Sequence, residues 1–303
     1  MRMRAFTQNL EGRVKNFTLP KNRPLVPVYE AVVNSLHAID ERRKQDSIFS
    51  DGRIEIMAIR SNQMTVGNER APFESFQVVD NGVGFTTTNM DSFLDADSTY
   101  KAEIGGKGVG RFSWLKTFRS VQISSVFSEN GVLSKREFFY KTENAGIDDA
   151  VVDVEDDEPQ QTSIHLRKYY SDYSIHVPKN LDTIAQRIVQ HCLVYFLDKN
   201  CPTILLKEDG EDSINLNKLF ADRVQTADNT VSVTLNNQAF TLLHVKVTDK
   251  SFDKGNRLFL CANNRLVESE QLDRYIVDLD KQMFENDGFW YVGLLTGRFW
   301  MNT

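Results

Sequence analysis

Apolar residues recur at helical spacing through residues 24–44, where Val28, Val32, Leu36 and Ile39 fall on one face, so this segment predicts an amphipathic helix. RIEIMAIR (residues 53–60) and ESFQVVD (residues 74–80) alternate or run apolar as sheet strands do, with a polar loop between them. Beyond a glycine-rich stretch the pattern predicts a helix, then strands at SVQISSVF (120–127), KREFFYK (135–141) and TSIHLRK (162–168). The acidic residues 148–158 read as a solvated loop or a strand edge. A long helical pattern over residues 180–198 precedes a second strand-rich half containing FTLLHVKVTD and RLFLCANNRLV. No internal repeat or low-complexity linker interrupts the chain, and a domain boundary is expected near residue 175.

A length of 303 residues suits about two domains, and 41% hydrophobic with 26% charged residues is ordinary globular composition. The net charge of -6 gives no global basic field for nucleic acid, though it leaves local patches open. Cys192, Cys201 and Cys261 are odd in number and lack metal-ligand spacing, which implies reduced thiols in a cytosolic protein. The basic start MRMRAFTQNLEGRVKNF has no apolar core of a signal peptide, and no run approaches a membrane span. The expected setting is soluble, cytoplasmic and without a membrane.

Four local features carry candidate chemistry. In IGGKGVGRF, four glycines, Gly105, Gly106, Gly108 and Gly110, fall within six residues directly before a predicted helix. Such a stretch is either an ordinary glycine-rich turn or a cradle for phosphate, because a helix start offers unpaired N–H groups and the positive end of its dipole. Glu30 and Asn34, four apart on one helix face, form either a surface pair or a carboxylate and carboxamide aimed at a ligand. Asp80 leaves an apolar strand into the DNGVGF turn with Gly82 and Gly84, which is ordinary turn chemistry taken alone. Thr162 opens the strand TSIHLRK and means little by itself.

In order along the chain, these features resemble the four motifs of the GHKL ATPases, the superfamily of DNA gyrase B, large heat-shock chaperones, histidine kinases, MutL-type repair proteins and MORC proteins. EAVVNSLHAID resembles the N-box, DNGVGF the adenine motif, GGKGVGRF the phosphate motif and QTSIHLRK the last strand motif, with Gln161 where a glycine usually stands. The resemblance spans roughly residues 20–170. It implies an α+β fold, a two-layer α/β sandwich of the Bergerat type, in a domain covering residues 1–175 with an N-terminal arm over residues 1–23.

The resemblance also implies roles. Asp80 would accept from the adenine amino group while Gly82 and Gly84 admit the base. Thr162, in the last strand motif, would bind the nucleotide, and Asn34 would offer an amide oxygen to Mg²⁺. Gly105, Gly106, Lys107, Gly108, Val109 and Gly110 would hold the triphosphate of ATP, with Lys107 and Arg111 either adding charge or facing solvent. Glu30 occupies the position of the base that activates water in gyrase-like and MutL-like members, which favours ATP hydrolysis over phosphoryl transfer to a histidine. His37 stands where MutL-like proteins carry an aspartate and reads as a packing or hydrogen-bonding residue.

In the second half, RLFLCANNRLVES resembles a strand-and-turn segment of the transducer domain, implying a βαβ domain over residues 176–303 that donates a cation to the γ-phosphate. Lys254, Lys281 and Arg298 are the candidates. The chain's end after GLLTGRFWMNT suggests a truncated or short family member. Together these imply an ATP-gated switch in which a lid, residues 86–104, closes and two protomers dimerise. One expected role is the motor of a DNA-transacting or genome-defence system of a prokaryote. The other is a chaperone-like or scaffolding clamp on a protein partner, with hydrolysis as a timer.

Overall fold

In the computed structural model of the chain, the described residues are 10–62, 70–95, 110–142, 147, 151–154, 158–248, 255–262, 265–276 and 288–297. The protein is α+β, with an eight-stranded mixed sheet, a separate five-stranded sheet and eight α-helices among the described residues. Contacts divide the described residues into two compact units, those within 10–183 and 202–214 in the first and those within 184–201 and 215–297 in the second. Where the sequence pattern suggested one boundary near residue 175, the chain returns to the first unit at residues 202–214.

The first unit begins with α1 (Leu10–Asn16) and α2 (Val26–Gln45), followed by the antiparallel pair β1 (Arg53–Arg60) and β2 (Phe73–Asp80). The predicted stripe on α2 is buried, with Val28, Val32 and Ile39 at 0% exposure, and the helix packs against β1 and β2. Arg42, Arg43 and Lys44 in its last turn complement the negative end of the helix dipole. Next come α3 (Thr87–Leu94), α4 (Gly110–Thr117), β3 (Phe118–Glu129), β4 (Val132–Tyr140), β5 (Val151–Asp153), β6 (Gln161–Tyr169) and α5 (Ser171–Ser174). The acidic stretch thus contributes β5, a strand at the sheet edge.

After α6 (Leu181–His191) and α7 (Leu193–Phe196), β7 (Thr203–Glu208) pairs in parallel with β1, and β8 (Ile214–Asn215) completes the sheet order β5-β4-β3-β6-β2-β1-β7-β8. One face buries alternate residues such as Ile54, Ile56, Phe76, Val78, Ile123 and Leu166. The other presents polar pairs, including Gln77 Nε2 to Ser163 Oγ at 2.8 Å. That asymmetry leaves one face of the sheet for the helices and the site.

Residues before α2 fold back on the same unit. Val14 is buried, Lys116 Nζ donates to Lys15 O at 2.8 Å, and Tyr173 OH donates to Leu19 O at 3.0 Å. Trp114 Nε1 donates to Pro27 O at 3.1 Å and so ties α4 to the start of α2.

The second unit holds α7, most of α6, and α8 (Leu216–Arg223), with β9 (Val224–Leu235), β10 (Gln238–Val247), β11 (Arg257–Ala262), β12 (Arg265–Gln271) and β13 (Trp290–Gly297). Its sheet order is β12-β11-β13-β10-β9, antiparallel except for the β11–β13 pair. Asn236 and Asn237, at φ 49° and 61°, supply the left-handed pair that a two-residue hairpin between β9 and β10 requires. The single helix expected over residues 180–198 is two, since after Cys192 the bonding tightens to Tyr195 N–H donating to Cys192 O. Among the described residues no helix is long and apolar enough to cross a membrane.

Candidate functional site

The site gathers where β2 ends beneath α2. Strand pleating turns Asp80 inward, and it is 3% exposed. Its carboxylate accepts from Ser35 Oγ of α2 at 2.7 Å and from Gly82 N–H at 2.8 Å.

The glycines after Asp80 sit where a side chain does not fit. A Cβ on Gly82 would lie 2.6 Å from both the carbonyl carbon and the Cβ of Ala38. Gly84 has φ +81°, and a Cβ there would lie 2.8 Å from Phe127 Cβ and 2.9 Å from Ser125 Oγ. Val83 N–H donates to Ala38 O at 3.0 Å, fixing the turn directly against the helix.

Thr162 pairs with Asp80 across the β2–β6 ladder, and Ser125 pairs with Thr162 across β3–β6. The row therefore reads carboxylate, hydroxyl, hydroxyl on one buried face. Ser125 Oγ and Thr162 Oγ1 are 2.8 Å apart, and Ser125 Oγ also accepts from Phe85 N–H at 3.0 Å. Gln161 is exposed and lies on the opposite side of the pleat from Thr162, so a glutamine at this position does not intrude on the row.

Glu30 lies one helical turn before Asn34, and both are half-buried on α2. A Cβ placed on Gly110, the first residue of α4, would lie 3.0 Å from Glu30 Cδ and run into Glu30 Oε2. The packing thus brings the carboxylate of α2 against the last glycine of the glycine-rich stretch. His37 is buried on α2 at 8% exposure.

No protein-family model matches the chain, and no curated protein matches it.

Of the residues singled out in the sequence, Glu30, Asn34, Asp80, Gly82, Gly84, Gly110 and Thr162 belong to α2, the β2 turn, the start of α4 and β6, all in the first unit. Gly105, Gly106, Lys107, Gly108 and Val109 lie outside the described residues, as do Lys254, Lys281 and Arg298. Arg111 reaches α3, donating to Ser92 O at 3.1 Å and to Asp95 O, with its guanidinium 5.3 Å from the Phe93 ring centroid. The described part of the expected lid, residues 86–95, is largely the helix α3, capped by Thr86 Oγ1 accepting from Asn89 N–H at 3.3 Å. Phe93 packs it against Phe85, Phe138 and Tyr140.

Sequence reasoning missed Ser35, Ser125, Arg42, Asn89 and Gln160. Ser35 could have been flagged by adjacency to Asn34, whereas the partners of the others depend on strand register and loop path. Among the described residues, no group of three or more His, Cys, Asp or Glu could hold a metal ion. A metal cage built from protein alone is therefore not a feature of the described site.

Proposed function

We propose that the protein is an ATPase of the GHKL type, in which the first unit is a Bergerat-like nucleotide site and the second a transducer-like domain. The observation that carries this reading is the convergence of Glu30, Asp80, Thr162 and Gly110 on one side of the eight-stranded sheet, from four separate elements. An ordinary glycine turn would not require a glutamate against Gly110 and a doubly bonded, buried aspartate at the end of β2.

Asp80 accepts from the exocyclic amino group of adenine, and guanine, with an acceptor there, is disfavoured. Gly82 and Gly84 keep the floor of the base site free of side chains, and the Thr162–Ser125 hydroxyl pair supplies a further polar contact. Glu30 orients a water and takes its proton as the water oxygen bonds to the γ-phosphorus. The bond from that phosphorus to the β–γ bridging oxygen breaks, releasing ADP and inorganic phosphate. Mg²⁺ commonly rests on one or two protein oxygens plus substrate phosphates, and Asn34 would offer it an amide oxygen. Bound there, the cation would neutralise phosphate charge.

The parallel β11–β13 pair within an otherwise antiparallel sheet supports the transducer-like reading, because parallel neighbours need a crossover connection. The switch is completed by dimerisation in the ATP state, a state-dependent gain that ADP lacks.

Phosphate release from ATP tests the proposal. Wild-type protein should turn over ATP, and Glu30→Ala should lower turnover about a hundredfold or more while ATP binding persists. Equal turnover in the two proteins excludes Glu30 as the base. Absence of ATP binding by the wild type excludes the function.

A further inference from the structure

A turn containing two glycines is costly to order, and one that must present a carboxylate to a base within tenths of an ångström needs its backbone held. Here four consecutive carbonyl oxygens of the turn are held by side chains from outside it. Arg42 Nη1 donates to Asn81 O at 2.7 Å, and Asn89 Nδ2 donates to Gly84 O at 3.0 Å. Between them, the single amide of Gln160 donates to Gly82 O at 3.3 Å and to Val83 O at 3.2 Å. Arg42 Nη1 also lies 3.5 Å from Gln160 O, which links the two clamps. Burial lowers the Arg42 pKa below its ordinary value, with Asp46 opposing, and the guanidinium remains a charged donor.

Gln160 stands two residues before Thr162. The chain entering β6 therefore delivers both the hydroxyl opposite Asp80 and the amide that fixes the turn carrying Asp80. The segment's own backbone cannot do this, because Gly82 N–H and Val83 N–H are already committed to Asp80 Oδ1 and Ala38 O.

We infer that Gln160 is a positioning residue for base recognition, acting through the Gly82 and Val83 carbonyls to set where the Asp80 carboxylate meets the adenine amino group. This rests on the ATPase reading above and adds the residue that sets its base selectivity. It predicts that losing the amide donors harms affinity and selectivity, and spares the chemical step at Glu30.

The test uses the full chain, with equilibrium titration of ATP and GTP and steady-state hydrolysis. Gln160→Met keeps the length and removes the donors. It should weaken ATP binding about tenfold and narrow the ATP over GTP preference by a similar factor, with turnover at saturation within about twofold of wild type. Gln160→Glu should weaken ATP binding at pH 7, and its deficit relative to wild type should shrink towards pH 5 as the protonated carboxyl regains a donor. Unchanged ATP affinity and selectivity in both variants would overturn the inference while leaving the ATPase reading intact. Loss of the fold in both would overturn it too, since the amide would then serve stability. If wild-type protein binds no adenine nucleotide, both the inference and the function it rests on fail.

Discussion

Replacing Gly110 with alanine separates packing from chemistry. The three atoms nearest the added Cβ all belong to Glu30, which it runs into at Oε2 with Cδ at 3.0 Å, and they are the far end of a flexible side chain. Rotating that carboxylate away costs on the order of 1 kcal/mol, while alanine in place of glycine at a compatible helical position returns about 0.4–1 kcal/mol through the unfolded chain. The net change in stability should lie near zero. The carboxylate, however, is displaced by about 1 Å, and misplacement of a reacting group on that scale costs about a hundredfold in rate. Urea unfolding should give the wild-type midpoint, calorimetry an ATP affinity within about tenfold, and phosphate release a turnover lowered by about one to two orders of magnitude. Gly82→Ala is the contrast, because its Cβ meets Ala38 carbonyl carbon and Cβ at 2.6 Å and Ile39 N at 2.8 Å, none of which can rotate away. Overpacking of this kind costs about 1–3 kcal/mol, so its urea midpoint should fall. Wild-type turnover in folded Gly110→Ala would refute the reading that Glu30 against Gly110 is catalytically meaningful.

Ser35→Ala removes the hydroxyl that donates to Asp80 Oδ2 at 2.7 Å, leaving a buried carboxylate oxygen short of a donor; destabilisation by about 1–3 kcal/mol is expected in urea unfolding. His165 should contribute to acid sensitivity: burial first, then the Arg167 charge, lowers its pKa from 6.5, so the unfolded chain binds more protons as pH falls below that value. Stability should therefore drop on acidification from pH 7 to 5, and His165→Gln should show a smaller drop in urea midpoint over the same range.

The parts of the site carried by short-range pattern were legible in the sequence. Glu30 and Asn34 share a face because helical residues four apart do, and the alternation ending at Asp80 turns its side chain inward. The strands around Asp80 and Thr162 also fall where their alternation put them. What remained hidden depends on non-local geometry. Ser125 meets Thr162 only through the β3–β6 register, and Gln160 reaches the turn only because β6 pairs with β2. TILLKE forms β7, which its own pattern does not reveal, since six residues of short alternation gain meaning from the parallel partner β1. Within the expected lid, residues 87–94 form a helix that Thr86 caps and Phe93 anchors in an aromatic cluster. Local propensity does not reveal such anchoring, because the partners come from β4 and from the turn after β2.

The central claim is adenine recognition by Asp80, and calorimetric titration of ATP into wild-type and Asp80→Asn proteins tests it most directly. The substitution keeps size and leaves an oxygen for Gly82 N–H, so the fold should persist, while the charge-assisted contact with the amino group is lost. The account predicts that wild-type protein binds ATP and that Asp80→Asn binds it more weakly by about 1.5–3 kcal/mol, tenfold or more. Equal ATP affinity in the two folded proteins would contradict it.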